Sequence, residues 1–270
     1  MEFTITQPKK AGLFAALFQH IKTISEHINI HFEEERMYMQ AMDSSQVSIL
    51  EIVVPSKWFD SYKLTNNTTA TIGVRAATLF TVLSVRAANQ QIKVEFKGED
   101  DSDKLFVYFT GDEGGVFDRF IEMPLMEIDS EMLGIPAMDY QVDVSLPSKE
   151  FSTIIHQMKE FGETIEFQCT EESVCARGKS VEKGVLNANI PISALSGYAI
   201  GENVKQCFSL KYLHTICLYE KIAREVEIHF SENSPMKVHY SIPSSVVADT
   251  EEIPTAHLYF YLAPKMDDDE

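Results

Sequence analysis

The stretch 13-LFAALFQHIKTISEHINIHFEEERMYM-39 changes its period halfway along. Up to Ile24 the apolar residues Leu13, Phe14, Leu17, Phe18, Ile21 and Ile24 recur at helical spacing. From His27 the pattern alternates, with Ile28, Ile30 and Phe32 on one side and His27, Asn29 and His31 on the other. That is a half-buried strand, followed after a charged turn by another through Met37, Met39 and Ala41. The plan returns 137 positions on, where Phe14, Phe18, Ile21, Lys22 and Ile24 become Phe151, Ile155, Met158, Lys159 and Phe161. Ile28, Ile30 and Phe32 become Ile165, Phe167 and Cys169, and Glu34-Glu35 becomes Glu171-Glu172. A second helix-then-strand unit repeats at an offset of 134: Leu79 and Val82 match Leu213 and Ile216, and Ile92, Val94 and Phe96 match Val226, Ile228 and Phe230. Two nearly equal offsets in chain order imply an internal duplication.

Each half therefore reads helix, strands, helix, strands. The fold class is α+β, with two similar domains at 1–121 and 141–270, each with two helices packed on mostly antiparallel sheets. Between them 122-EMPLMEIDSEMLGIPAMDY-140 carries proline, methionine and glycine but no Lys or Arg, and suits an extended inter-domain connector.

Composition removes several classes. With 270 residues, 44% of them hydrophobic and 17 Phe, the chain can bury a core and is not disordered. Glycine is scarce and no phosphate-cradling glycine loop is present. Cys169, Cys175, Cys207 and Cys217 have no zinc or redox spacing and read as structural thiols of a reducing compartment. The start MEFTITQPKK lacks the pattern of a signal peptide, and the apolar run GLFAALF is too short for a bilayer. The sequons at Asn66 and Asn67 then mark only a polar turn. The expectation is a soluble intracellular protein.

Enzyme readings find little support. His27 and His31 share a strand face without a third ligand nearby. The run 98-GEDDSDK-104 lacks the periodic ligands and closing glutamate of a calcium loop and reads as a hairpin turn. No serine stands in a nucleophile elbow. No catalytic residue, metal or cofactor is expected.

Charge is unevenly placed. The formal net charge is −18, yet the predicted helices at 9–25, 75–86, 148–162 and 209–224 together carry +7, so the remainder carries −25. The cations are Lys9, Lys10 and Lys22; Arg75 and Arg86; Lys149 and Lys159; and Lys211, Lys221 and Arg224. A surface shared by these helices would attract phosphate without reading base sequence.

Three stretches now carry a family resemblance: 39-MQAMDSSQVSILEI-52, 133-LGIPAMDY-140 and 257-HLYFYLAPKMDDDE-270. Together with the duplicated halves and the connector, they resemble the proliferating cell nuclear antigen family of DNA sliding clamps from end to end of the chain. The resemblance implies a DNA-clamp fold assembling into a homotrimeric ring, with helices lining the hole and sheets outside. It implies a non-enzymatic polymerase processivity factor around double-stranded DNA, in the nucleus or at a viral replication site. Partners would be a DNA polymerase, a clamp loader, and other replication and repair proteins carrying short clamp-binding peptides. A clamp-like subunit acting as a monomer or in a hetero-ring in DNA damage signalling is the alternative.

By the same resemblance, His156 and His214 join the cations above as DNA-facing residues. Subunits would meet through Phe117, Asp118, Arg119 and Phe120 on one edge and Lys183, Val185, Asn187 and Asn189 on the other. The partner-peptide pocket would comprise Met42, Gln46, Val47, Ile49, Leu133, Ile135, Pro136, Tyr140, Pro235, Tyr261, Ala263 and Pro264. Pro264 would end the last strand, leaving Lys265 and Met266 free to lie along the visiting peptide. The sequence departs from the family at several points. Ala15, Ala16, Thr81 and Ser84 stand where lysine is frequent, Glu171 where a modifiable lysine often sits, and Gln46 where histidine is common. The loop 243–257 is longer than usual. These departures imply a divergent lineage, cellular or viral.

Overall fold

In the computed structural model, residues 1–65, 68–98, 103–111, 117–129, 131–232, 234–244 and 253–265 are described. Asn66, Asn67, most of the 98–104 turn, Met266 and the acidic tail lie outside them. The first half runs β1 (Glu2–Ile5), α1 (Pro8–Leu17), β2 (His27–Phe32), β3 (Arg36–Met42), β4 (Ser48–Pro55), β5 (Ser61–Lys63), β6 (Ala70–Arg75), α2 (Ala76–Ser84), β7 (Gln91–Glu95), β8 (Lys104–Thr110) and β9 (Arg119–Pro124). The second runs β10 (Val142–Pro147), α3 (Ser148–Lys159), β11 (Thr164–Cys169), β12 (Ser173–Ser180), β13 (Gly184–Pro191), β14 (Gly197–Ile200), β15 (Val204–Ser209), α4 (Leu210–Cys217), β16 (Glu225–Phe230), β17 (Met236–Pro243) and β18 (Thr255–Leu262).

Element for element the second half repeats the first. The strand order β5-β1-β7-β8-β9 returns as β14-β10-β16-β17-β18, and β4-β3-β2-β6 returns as β13-β12-β11-β15. β2 and β11 begin and end 137 residues apart, and β6 and β15 134 apart. The duplication read from apolar spacing is thus present in the pairing itself. Every assigned register, such as Ile30 opposite Met39 or Phe167 opposite Ala176, is antiparallel.

The chain forms two compact units. One comprises Met1–Ser44, Glu51–Leu133 and Ile242–Leu258; the other comprises Ser45–Leu50, Gly134–Ser241 and Tyr259–Glu270. In the first, Phe3, Phe14, Phe32 and Phe59 pack ring on ring. Trp58 is fully buried and its Nε1–H donates to the Ile242 carbonyl at 3.1 Å. In the second, Phe167, Phe208 and Phe230 form a triangle of rings, and Tyr219 and Tyr240 flank Phe260. Each such anchor removed from water contributes about 1.5–3 kcal/mol.

The helices lay one stripe on these cores: Phe14 and Leu17 on α1, Leu79 and Val82 on α2, Phe151, Ile155 and Met158 on α3, and Leu213 and Ile216 on α4. Pro8 opens α1, where its missing N–H costs nothing. All four helices are shorter than expected, α1 and α4 the most. The segments read as 9–25 and 209–224 end at Leu17 and Cys217 and continue as 3-10 turns at Ile21–Thr23 and Leu218–Lys221. The apolar spacing persists because Ile21 and Tyr219 in those turns are still buried.

Candidate functional site

β18 settles the character of the aromatic run near the C-terminus. Ala256, Leu258, Phe260 and Leu262 point into the core, while His257, Tyr259 and Tyr261 face outward and remain half-buried. In the second unit Ser48–Leu50 of β4 lie beside Tyr259–Leu262 of β18, and the Ala263 N–H donates to the Val47 carbonyl at 3.0 Å. Gln46 turns the chain into β4 with φ of 58°, a left-handed conformation that a β-carbon disfavours. Val47, Ile49, Ile135, Tyr140, Pro235, Tyr261, Ala263 and Pro264 are half-buried, and Gln46 and Pro136 exposed. The Tyr140 ring lies 5.3 Å from His229, and burial pushes its hydroxyl up to about 12. Gln206 Nε2 donates to the Ser234 carbonyl at 3.1 Å beside Pro235.

Pro264 ends β18 as expected, but Lys265 is not free. Its N–H donates to the Cys207 carbonyl at 2.8 Å, and its Nζ donates to Thr164 Oγ1 at 2.9 Å. The physical reason is that β15 is the last strand of its sheet and offers an open carbonyl. Met42 and Leu133 belong to the first unit, where Met42 is half-buried and Leu133 is 41% exposed. There the connector is fastened to the sheet. Met126 N–H donates to the Gly73 carbonyl at 3.0 Å, Asn29 Nδ2 donates to the Ile128 carbonyl at 3.0 Å, and the Gln40 carboxamide pairs with the Leu133 backbone.

The helix cations divide into presented and internal charges. Lys9, Lys22, Arg75, Lys149, Lys159, Lys211, Lys221 and Arg224 are exposed. Lys10 is not: it is 5% exposed, with Nζ 2.6 Å from Asp60 Oδ1 and 5.2 Å above the Trp58 ring. Arg86 is half-buried, and its Nη1 donates to the carbonyls of Ala87, Ala88 and Gln90. Both were expected on the DNA-facing surface; the fold uses the first as a buried counter-ion and the second to tie down the turn between α2 and β7. In the second unit the rings of His156 on α3 and His214 on α4 stand 6.2 Å apart. Burial, Lys159 and His156 together lower the His214 imidazole below its ordinary range.

Among the described residues the expected edges have no second neighbouring strand. β9 ends one sheet and β13 another. Phe117, just before β9, and Phe120, on it, are 82% and 52% exposed, with Phe120 stacked on Tyr108 and Phe106. Asp118 Oδ1 accepts from the Gly111 N–H, and Arg119 Nη1 donates to Gln90 Oε1 at 2.8 Å. On β13, Val185 is 45% exposed and Asn187 and Asn189 face out, while the preceding Lys183 donates from Nζ to the Glu160 carbonyl at 2.6 Å.

Other candidates dissolve into local structure. His31 Nδ1 lies 3.0 Å from Thr71 Oγ1, and His27 sits 3.7 Å from Glu26. None of the four cysteines is in a disulfide, and burial pushes the Cys169 thiol up to about 12, which leaves it unreactive. No helix among the described residues is long and apolar enough to cross a membrane.

Two copies of one helix-on-sheet plan, with cations on the helices and, among the described residues, no second neighbour for β9 or β13, are what the resemblance to a DNA sliding clamp implies. The family models described as "Proliferating cell nuclear antigen, N-terminal domain" and "Proliferating cell nuclear antigen, C-terminal domain" match residues 5–132 and 134–264. The proliferating cell nuclear antigen of Chaetomium thermophilum is 28% identical over 269 residues, covering 97% of this chain and 98% of its own. The crystal structure of the Entamoeba histolytica protein of that name superposes with a TM-score of 0.84 at 20% identity, covering 98% of each chain. The chain belongs to the proliferating cell nuclear antigen family, whose members are non-enzymatic sliding clamps that act on DNA in replication and repair.

Proposed function

We propose that three copies of this chain close head to tail into a ring around duplex DNA, as a polymerase processivity factor and docking platform. Each copy would contribute clamp domains at 1–121 and 141–270 joined by the connector at 122–140. One observation carries the ring. β18, the end of one five-stranded set, lies beside β4, whereas their repeat counterparts β9 and β13 lack such a neighbour among the described residues. A neighbouring copy repeats the β18–β4 relationship when its β13 meets β9, and this removes both open edges. Helical cations around the hole hold phosphate through weak contacts, so enclosure rather than grip retains the DNA.

Partner peptides would dock through an aliphatic and an aromatic anchor at Val47, Ile49, Ile135, Pro136, Tyr140, Pro235, Tyr261 and Ala263. Such anchors, offset by the ordering of a flexible peptide, give roughly micromolar affinity. The polymerase, the clamp loader and the repair partners would use this site in turn, in the nucleus or at a viral replication site.

The test is light-scattering mass followed by loading onto nicked circular DNA before and after linearisation. About three chains per particle, with retention lost on cutting, is the expected result. A monomer, or salt-sensitive retention on both DNA forms, overturns the ring in favour of a clamp-like subunit of damage signalling.

A further inference from the structure

Gln40 lies on β3 two residues before Met42, and its carboxamide meets the connector backbone twice. The Leu133 N–H donates to Gln40 Oε1 at 2.8 Å, and Gln40 Nε2 donates to the Leu133 carbonyl at 3.0 Å. That is the double bond of an antiparallel strand pair, supplied on one side by a side chain. A carboxamide works this way only if it cannot turn over, and Tyr38 prevents that. Tyr38 Oη donates its proton to Glu51 Oε1 at 2.6 Å, so towards Gln40 it has only lone pairs to offer. The Gln40 atom that faces it at 3.2 Å must therefore be Nε2, which puts Oε1 on the Leu133 N–H. Tyr38 is itself held in place, buried and with the Arg36 guanidinium 4.8 Å over its ring. Arg36 Nε in turn donates to Glu33 at 2.7 Å.

The position of this contact gives it consequence. Leu133 is the last connector residue of the first unit, and Gly134 is the first of the second. From Glu131 to Tyr140 the connector has no regular structure. Upstream, Gly73 and Asn29 hold Met126 and Ile128. Gln40 is thus the final fastening described before Ile135 and Pro136. The segment it holds is exposed and apolar, with Met132 beside Leu133, so without a fastening its backbone would be free to sample many conformations.

We infer that Gln40 is a positioning residue for the partner-peptide pocket: oriented by the Glu51–Tyr38 hydrogen bond, it holds Leu133 extended so that Ile135 and Pro136 are preset for docking. The inference rests on the pocket reading above. Its energetic content is preorganisation, since a fastened connector spares the incoming peptide the cost of ordering it.

The experiment uses the full chain and a fluorescein-labelled synthetic peptide carrying one aliphatic and one aromatic anchor. Gln40→Met keeps the length and removes both hydrogen bonds. It should weaken the peptide about tenfold, speed hydrogen exchange of the Leu133 amide, and leave the thermal midpoint nearly unchanged because the bonds are exposed. Gln40→Glu keeps an acceptor for the Leu133 N–H but sets a carboxylate oxygen against the Leu133 carbonyl, and should weaken binding at least as much. Tyr261→Ala tests the pocket itself. Weakening by Tyr261→Ala with wild-type affinity in both Gln40 variants overturns the positioning role and leaves the pocket standing. Unchanged affinity in Tyr261→Ala overturns the pocket. Unchanged Leu133 exchange in Gln40→Met also overturns the positioning role.

Discussion

Lys10 Nζ lies 2.6 Å from Asp60 Oδ1, across 50 residues of chain, and the lysine is almost wholly buried. Thr6 supports the other oxygen of that carboxylate, its Oγ1 donating to Oδ2 at 2.7 Å and its N–H donating to Oδ2 as well. Burial pushes the Asp60 carboxyl up, but the Lys10 and Thr6 hydrogen bonds outweigh it and hold the group below the usual carboxylate range. Stability from this pair is therefore full above that range and is lost as pH falls through the lowered value. Asp60→Asn should destabilise the protein by about 1–3 kcal/mol at neutral pH, less than a fully buried pair because Asp60 is partly exposed. Chemical denaturation at pH 7 and pH 3 checks it: a gap between the proteins that does not narrow at the lower pH counts against the linkage.

The same pair marks where the sequence stops being legible. Strand periodicity revealed β2 and β11, because a sheet with one wet face must alternate, and Ile28, Ile30 and Phe32 are indeed the buried set. It also revealed the repeat, because each half pairs its strands in the same order. It could not separate Lys9 from Lys10, since their fates depend on Asp60, which is distant in the chain. Nor could it show that Arg86 is spent on the carbonyls of the turn that follows α2. The candidate pocket was legible only through motif resemblance, because Tyr261 and Ile135 carry no signal of their own that distinguishes docking from packing. Gln40 was silent altogether, as an amide that imitates backbone leaves no periodic trace. One signal was available and unused: Gly73, a lone glycine inside the strand ATIGVR, is the mark of a close backbone approach.

The open edge at β9 gives the second prediction. Phe120 stacks 4.9 Å from Tyr108 with about half its surface exposed, so a charge there costs little inside one chain but much in a strand-paired contact. Phe120→Asp should reduce the light-scattering mass to that of one chain, while the thermal midpoint falls by no more than a few degrees. An assembled particle of unaltered mass would falsify the use of β9 as a subunit edge.

A third expectation concerns the α3 and α4 face. The His214 imidazole sits below its ordinary range, first through burial and then through Lys159 and His156. In the free protein this means that stability falls as pH drops through the ordinary imidazole range towards the lowered value, because the unfolded chain takes the proton more readily. Phosphate reverses the preference by favouring the charged ring. Binding to a short linear duplex should therefore strengthen as pH falls from about 7.5 to about 5.5, and the gain should shrink in His156→Gln, His214→Gln double substitution. Fluorescence anisotropy at constant ionic strength reads it. A pH response identical in the double variant removes these two rings from the DNA-facing surface. On the same face, Lys159→Ala should lower the salt slope of binding by about one unit, and Lys10→Met should not.

Gly73 supplies the last prediction. A β-carbon built there would lie 2.2 Å from the Met126 carbonyl oxygen and about 3.0 Å from the Ile128 side chain, distances at which backbone must move. The three atoms nearest to such a β-carbon all belong to the connector and none to β2, with which β6 pairs at Asn29 opposite Gly73. Gly73→Ala should push the connector off the sheet, break the Met126–Gly73 hydrogen bond and cost about 1–3 kcal/mol. That corresponds to a fall in thermal midpoint of several degrees for a chain of this size. Hydrogen exchange of the Met126 amide should rise sharply, with the β2–β6 amides unaffected. Because the fastening upstream of Gln40 is lost, peptide affinity should also drop, though less than in Gln40→Met, since Leu133 keeps its own hold. Retained protection at Met126 in the alanine variant would mean that the connector is held by its side chains instead, and that the absence of a β-carbon at position 73 serves no purpose in docking it.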